Sequence, residues 1–155
     1  KVCILGDSHA PAIFRKAASI KGLEVTPAGD AELIVVAQDA GVTATGEREL
    51  AFVRSLIGVA QLYPVPIILT SQVPPGFTRE IGLRNLFHMA ETLRMKDAMS
   101  RAIRPEQFII GVPDPKEYVL PAEFMTYMYA HKPHAVHIMS YEEAEFAKIA
   151  INMCL

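Results

Sequence analysis

Six consecutive residues, Gly6-Asp7-Ser8-His9-Ala10-Pro11, follow the first apolar run of the chain and open a helical pattern. A strand-to-helix turn of this kind offers free backbone amides to an anion. In a dinucleotide-binding loop one glycine makes the turn, a second admits the pyrophosphate and a third lets helix and strand pack closely. Here only Gly6 stands; Ser8 takes the second position and Pro11 the third, adding bulk where a pyrophosphate lies. The plain alternative is a turn that holds no cofactor. Gly6-Asp7-Ser8 also presents a hydroxyl, and Ser8 attacking an acyl carbon would need a histidine as base. His131, His134 and His137 have no aspartate three residues before them, so this esterase chemistry lacks its partners. A second polar cluster, Thr70-Ser71-Gln72, ends another apolar run and leads through Val73-Pro74-Pro75-Gly76 into Phe77-Thr78-Arg79. A rigid polar strand end at the carboxyl edge of a sheet is where α/β folds bind ligands. Cys3 and Cys154 make neither a disulfide framework nor a zinc site, no metal is expected, and both read as buried structural thiols.

The elements that must position these residues alternate between apolar runs and helical patterns, which predicts an α/β fold: a Rossmann-like, doubly wound, mostly parallel sheet in a single domain. Strands are predicted at Val2–Leu5, Leu23–Thr26, Leu33–Ala37, Pro66–Thr70, Leu86–Ala90, Phe108–Gly111 and Ala135–Met139. Several do not alternate polar with apolar, as expected of strands covered on both faces. Helices are predicted at Ala12–Lys21, closed by Gly22, and at Glu47–Gln61, stopped by Pro64. Others are expected over about Thr78–Asn85, Asp97–Ile103, Pro121–His131 and Tyr141–Leu155.

With 155 residues, 51% of them hydrophobic and 21% charged, the chain has ample material for one core and no case for disorder. A net charge of −2 gives no basic face for nucleic acid or a membrane surface, and no apolar run nears the roughly 20 residues of a membrane helix. A cytoplasmic location with no leader is the expectation.

Thr70–Arg79 resembles the Ser-Thr-Val-Pro-Pro-Gly-Thr-Thr-Arg block of the UDP-glucose/GDP-mannose dehydrogenase family. Ala90-Glu91-Thr92-Leu93-Arg94-Met95 is similar to its Pro-Glu-Phe-Leu-Arg-Glu, and Arg104–Gly111 to its Asn-Pro-Asp-Arg-Val-Val-Ile-Gly. Glu142–Asn152 resembles the Ala-Glu-x-x-Lys-x-x-x-Asn start of its long central helix. The blocks keep family order and nearly family spacing. The resemblance implies an NAD-binding N-terminal domain over 1–155 that ends at the start of the central helix. The catalytic cysteine would lie in a C-terminal domain outside these residues, so this chain alone is not expected to turn over. The implied reaction oxidises the primary alcohol of a nucleotide sugar, UDP-glucose-like, to a carboxylate, and a homodimer is implied. By position Gly6, Asp7, Ser8, Ser71 and Gln72 would contact NAD, Leu93 and Arg94 would line the sugar, and Glu91, Lys148 and Asn152 would be catalytic. Lys148 and Asn152 stand four apart, so one helical face can aim an ammonium and an amide at a single oxygen; the plain alternative pairs Lys148 with Glu145 on a solvated face. Departures fall mostly on the NAD side: the lost glycines, Gln72 for a threonine, Gln38-Asp39 for a Thr-Pro pair, Met95 for a glutamate, and a short stretch from Thr26 to Leu33. Asp30 is a poor ribose-binding candidate. A different reading is therefore a degenerate, non-catalytic relative acting as an interaction or regulatory domain.

Overall fold

The computed structural model describes residues 1–91, 93–94 and 96–154. In chain order its elements are β1 (Val2–Leu5), α1 (His9–Ile20), a 3₁₀ turn (Ala28–Asp30), β2 (Leu33–Val36), α2 (Ala51–Ala60), β3 (Ile67–Leu69), α3 (Phe77–Ile81), β4 (Leu86–Ala90), α4 (Ala98–Ile103), β5 (Gln107–Val112), α5 (Ala122–His131), β6 (Ala135–Ser140) and α6 (Tyr141–Cys154). The six strands form one sheet in the order β1-β2-β3-β4-β5-β6. All neighbours are parallel except β4 and β5, which run antiparallel. The sheet is covered on both faces. Val2, Ile4, Val35, Ile68, Phe87 and Ile110 pack under Phe14 of α1 and Phe124 of α5. Cys3, Ile34, Val36, Ile67 and Leu69 pack on the other side against Val53 and Ile57 of α2 and Phe77 of α3. The strands read as unbroken apolar runs because both of their faces are buried, each large aliphatic side chain contributing about 1.5–3 kcal/mol over its exposed state.

Three expectations change. Leu23–Thr26 is no strand: Val25 makes a single parallel bridge to Val2, on the flank of β1 away from β2, before Pro27 and the 3₁₀ turn end the pairing. The helix expected from Glu47 starts at Ala51, because Val42 and Arg48 pair in a small hairpin turned by Gly46 at φ +87° and the amide of Glu47 is held by Thr43. α3 stops at Ile81 rather than Asn85, since Gly82 takes the left-handed conformation (φ +73°) that closes a helix. Leu155, expected in the last helix, lies outside the described residues.

The carboxyl end of β1 is a switch point. The chain leaves β1 through α1 towards the Val25 flank, then crosses to β2 on the other flank. Open α/β sheets bind ligands in the crevice that such a reversal leaves.

Candidate functional site

Helix α6 builds one wall of this crevice. It lies close on the sheet at Gly111, where a Cβ would come 2.9 Å from the Cβ of Ala144 and 3.0 Å from the Cα of Tyr141. The Tyr141 hydroxyl donates to the Leu86 carbonyl at 2.6 Å, and burial pushes its own proton affinity up to about 12. One turn on, the wholly buried Glu145 accepts the amides of Gly76 (2.7 Å) and Thr78 (2.8 Å), an internal anion for the double-proline turn. These contacts turn positions 141, 144, 145 and 148 of α6 towards the sheet.

Lys148 then reaches Glu91 just past β4: its ammonium donates to Glu91 Oε1 at 2.5 Å and to the Glu91 carbonyl at 3.3 Å. Glu91 Oε2 accepts the amide of Leu93 at 2.7 Å, so both of its carboxyl oxygens are engaged. One turn further, Asn152 Nδ2 donates to Gln72 Oε1 at 2.6 Å. The plain pairing of Lys148 with Glu145 is overturned, since Glu145 is turned inward to amides and Lys148 to Glu91. Glu91, Lys148, Asn152, Gln72 and Ser71 line one polar cleft of about 240 Å³ at the carboxyl edge, together with Gln38, Asp39 and Arg48. Leu93 and Arg94 line an adjoining recess that shares Ala10, Asp39 and Glu91 with it. Thr92 and Met95 lie outside the described residues.

The turn after β1 has a different character from that of an open anion site. Gly6 sits at φ +134°, and a Cβ there would meet Pro11 Cγ at 2.9 Å and Gln38 Oε1 at 3.0 Å, so the glycine is required. Arg15 fastens the turn through the carbonyls of Ile4 (2.8 Å) and Gly6 (2.7 Å). Two of its amides are engaged within the protein. Asp7 N–H donates to Gln38 Oε1 at 2.9 Å and Ala10 N–H to Asp39 Oδ2 at 3.1 Å, while Pro11 has no N–H to give. The Asp39 amide in turn donates to Ser8 Oγ at 2.8 Å. As it stands this turn fits the pyrophosphate of NAD poorly: the amides of Asp7 and Ala10 are engaged and Asp39 brings a carboxylate to the place. Gly6, Asp7 and Ser8 are thus at the expected edge, but their groups face Gln38, Asp39 and Arg15.

Two further expectations bear on the site, and one of them is corrected. No hydrogen bond among the described residues joins Ser8 to a histidine; His131 on α5 is bonded to the Tyr127 carbonyl, and His137 is on β6, at the far edge of the sheet from β1. Ser8 Oγ instead accepts the amide of Asp39. Of the two thiols only Cys3 is buried; Cys154 is exposed on α6. Residues that sequence reasoning did not single out for the site include Asp39, Gln38, Arg48, Glu145 and the buried His88. The Gln38-Asp39 departure was the one available signal, and it showed only that something differs there. His88, on β4, is wholly buried, and burial together with the Lys148 charge lowers its proton affinity to about 3. Among the described residues no group of histidine, cysteine and carboxylate side chains could hold a metal ion, and no helix is long and apolar enough to cross a membrane.

No family model and no curated protein matches the chain. Solved structures do. The NDP-N-acetyl-D-galactosaminuronic acid dehydrogenase from Methanosarcina mazei Go1 matches 99% of this chain and 46% of its own, at 16% identity and a TM-score of 0.73. The UDP-glucose dehydrogenase from the hyperthermophilic archaeon Pyrobaculum islandicum matches 97% of this chain and 43% of its own, at 18% identity and a TM-score of 0.71. The fold is that of nucleotide-sugar dehydrogenases. The GDP-mannose dehydrogenase from Pseudomonas aeruginosa shares it as well, with 93% of this chain and 38% of its own covered, 16% identity and a TM-score of 0.68. The chain spans less than half the length of each of these three dehydrogenases.

Proposed function

We propose that this chain is the N-terminal part of a nucleotide-sugar 6-dehydrogenase, UDP-glucose-like, and that its carboxyl-edge cleft receives the sugar. One observation carries the reading. Gln72, Glu91, Lys148 and Asn152, from segments up to 80 residues apart, converge on a single cleft in a fold shared with nucleotide-sugar dehydrogenases. Lys148 and Asn152 present an ammonium and an amide on one helical face, the donors that a developing alkoxide needs; one such donor is worth roughly 3 kcal/mol of barrier. Glu91, paired with Lys148, is placed to accept the proton of the alcohol or of a water. A sugar oxygen would take over the donor that Asn152 now gives Gln72 and share the one Lys148 gives Glu91. Oxidation to a carboxylate further requires a hydride acceptor, NAD by resemblance, and a thiol nucleophile, which neither Cys3 in the core nor Cys154 supplies. The domain carrying that thiol, the homodimer built on α6 and a cytoplasmic location all belong to this proposal. NADH formation from a panel of nucleotide sugars, by this domain joined to a catalytic-cysteine domain, tests it. The reading is abandoned if none of the sugars yields NADH.

A second reading, a non-catalytic relative serving as an interaction or regulatory domain, is favoured by the crowding of Gly6 by Pro11. Saturable NAD binding in a calorimetric titration would remove it.

A further inference from the structure

The carboxyl ends of β1 and β2 are joined by a reciprocal set of hydrogen bonds that no strand-to-helix turn requires. Asp39 Oδ2 accepts the amide of Ala10 in the first turn of α1, and the Asp39 amide donates back to Ser8 Oγ. Gln38, only 9% exposed, accepts the amide of Asp7 through Oε1 and gives its own Nε2 to the Asp39 carbonyl at 3.4 Å. Ser8, the N-cap residue of α1, makes no side-chain bond to its own helix, so the cap is supplied by Asp39, 29 residues from the amide it holds. A carboxylate at the positive end of α1 satisfies one of its orphan amides and complements its dipole.

We infer that Gln38 and Asp39 form an internal stand-in for the diphosphate of a dinucleotide, so that this chain competes with its own cofactor for the turn. A diphosphate approaching α1 must displace one carboxylate and one carboxamide, and while Asp39 stays it must also approach a like charge. Pro11 leaves no spare amide in the third helical position to accept it instead. The inference goes beyond the proposed function, because it concerns the amides of Asp7 and Ala10 and holds whether or not the cleft receives a sugar.

The test is calorimetric titration of the wild-type chain, Asp39→Ala and Asp39→Asn with NAD and, separately, with inorganic pyrophosphate. Asp39→Ala removes charge and acceptor together, so both probes should bind at least about tenfold tighter than to wild type. Asp39→Asn keeps the shape and an acceptor oxygen but loses the charge, and should gain several-fold, less than alanine. Amide hydrogen exchange of Ala10 supplies an independent readout: it is protected in wild type and should speed up in Asp39→Ala while amides in the middle of α1 stay protected. If wild type binds NAD as tightly as both variants, or if Ala10 exchanges no faster without the carboxylate, the inference is overturned. Should Asp39→Ala fail to fold, an Asp39→Asn variant with no gain overturns it equally. NADH formation at saturating NAD does not bear on this result, so failure here and failure of the sugar reading remain separable.

Discussion

Lys148 of α6 and Glu91 at the end of β4 form an ion pair whose side chains are 5% and 15% exposed, 57 residues apart in sequence. A buried pair of this kind contributes little over two apolar side chains of the same shape, but losing one partner strands the other charge. Glu91→Gln should therefore destabilise the fold by about 3 kcal/mol. The double variant Glu91→Leu with Lys148→Met should recover most of that loss. Urea denaturation of the three proteins checks this, and a double variant no more stable than Glu91→Gln would show that the pair is not the source.

The same residues bear on turnover under the proposed function. Lys148→Ala and Asn152→Ala should each lower kcat by about 10²–10³, with smaller changes in KM, because their donors matter most where negative charge develops. Steady-state kinetics with the sugar that yields NADH decides the point; a change confined to KM would place both residues in ground-state binding instead.

Glu145→Ala removes the internal anion beneath the Pro74–Gly76 turn and leaves the amides of Gly76 and Thr78 without their acceptor. The expected loss is about 2–4 kcal/mol, from two orphaned amides at 1–3 kcal/mol each, less what water restores. Glu145→Gln keeps one acceptor oxygen and should lose about half as much. Equal losses for the two variants would count against the hydrogen-bond account.

Gly111→Ala tests how α6 is seated. The new methyl would overlap Ala144 and the backbone of Tyr141, so the helix must lift from the sheet, at about 1–3 kcal/mol. Thermal melting should register the loss. Pairing Gly111→Ala with Ala144→Gly, which empties the contacted position, should restore part of it.

His88 makes stability depend on pH in a stated direction. Its imidazole is held down to about 3, first by burial and then by the Lys148 ammonium, whereas in the unfolded chain it protonates near 6.5. Between those values the unfolded state binds a proton that the folded state refuses, so stability is full above 6.5 and falls as pH drops towards 3. The loss at pH 5 is about 2 kcal/mol. His131, lowered by burial in the same way, adds to it with the same sign. Denaturation midpoints measured from pH 7 to pH 5 should decline less steeply in His88→Leu than in wild type. Parallel declines would assign the acid sensitivity elsewhere.

Much of the architecture was present in the order of residues. The apolar runs Val2–Leu5, Leu33–Val36 and Leu86–Ala90, the Gly22 just past α1 and the double-proline turn are local signals, because strand burial, helix capping and turn chemistry act over a few neighbouring residues. So the doubly wound sheet was legible in these local signals, whereas the expectation that Glu91, Lys148 and Asn152 belong to one site came from the family resemblance. Partner choice was not legible. Lys148 had an acidic neighbour three residues away in Glu145, and local spacing alone favours that pair; the close seating of Ala144 on Gly111 rotates Glu145 into the amides of α3 and leaves Lys148 facing Glu91. In the same way a serine and a proline in the turn after β1 announced a poor phosphate loop, but only the parallel register of β1 with β2 brings Asp39 to the amide of Ala10. Pairings between distant segments depend on strand order and on helix rotation, which the whole packed core decides at once.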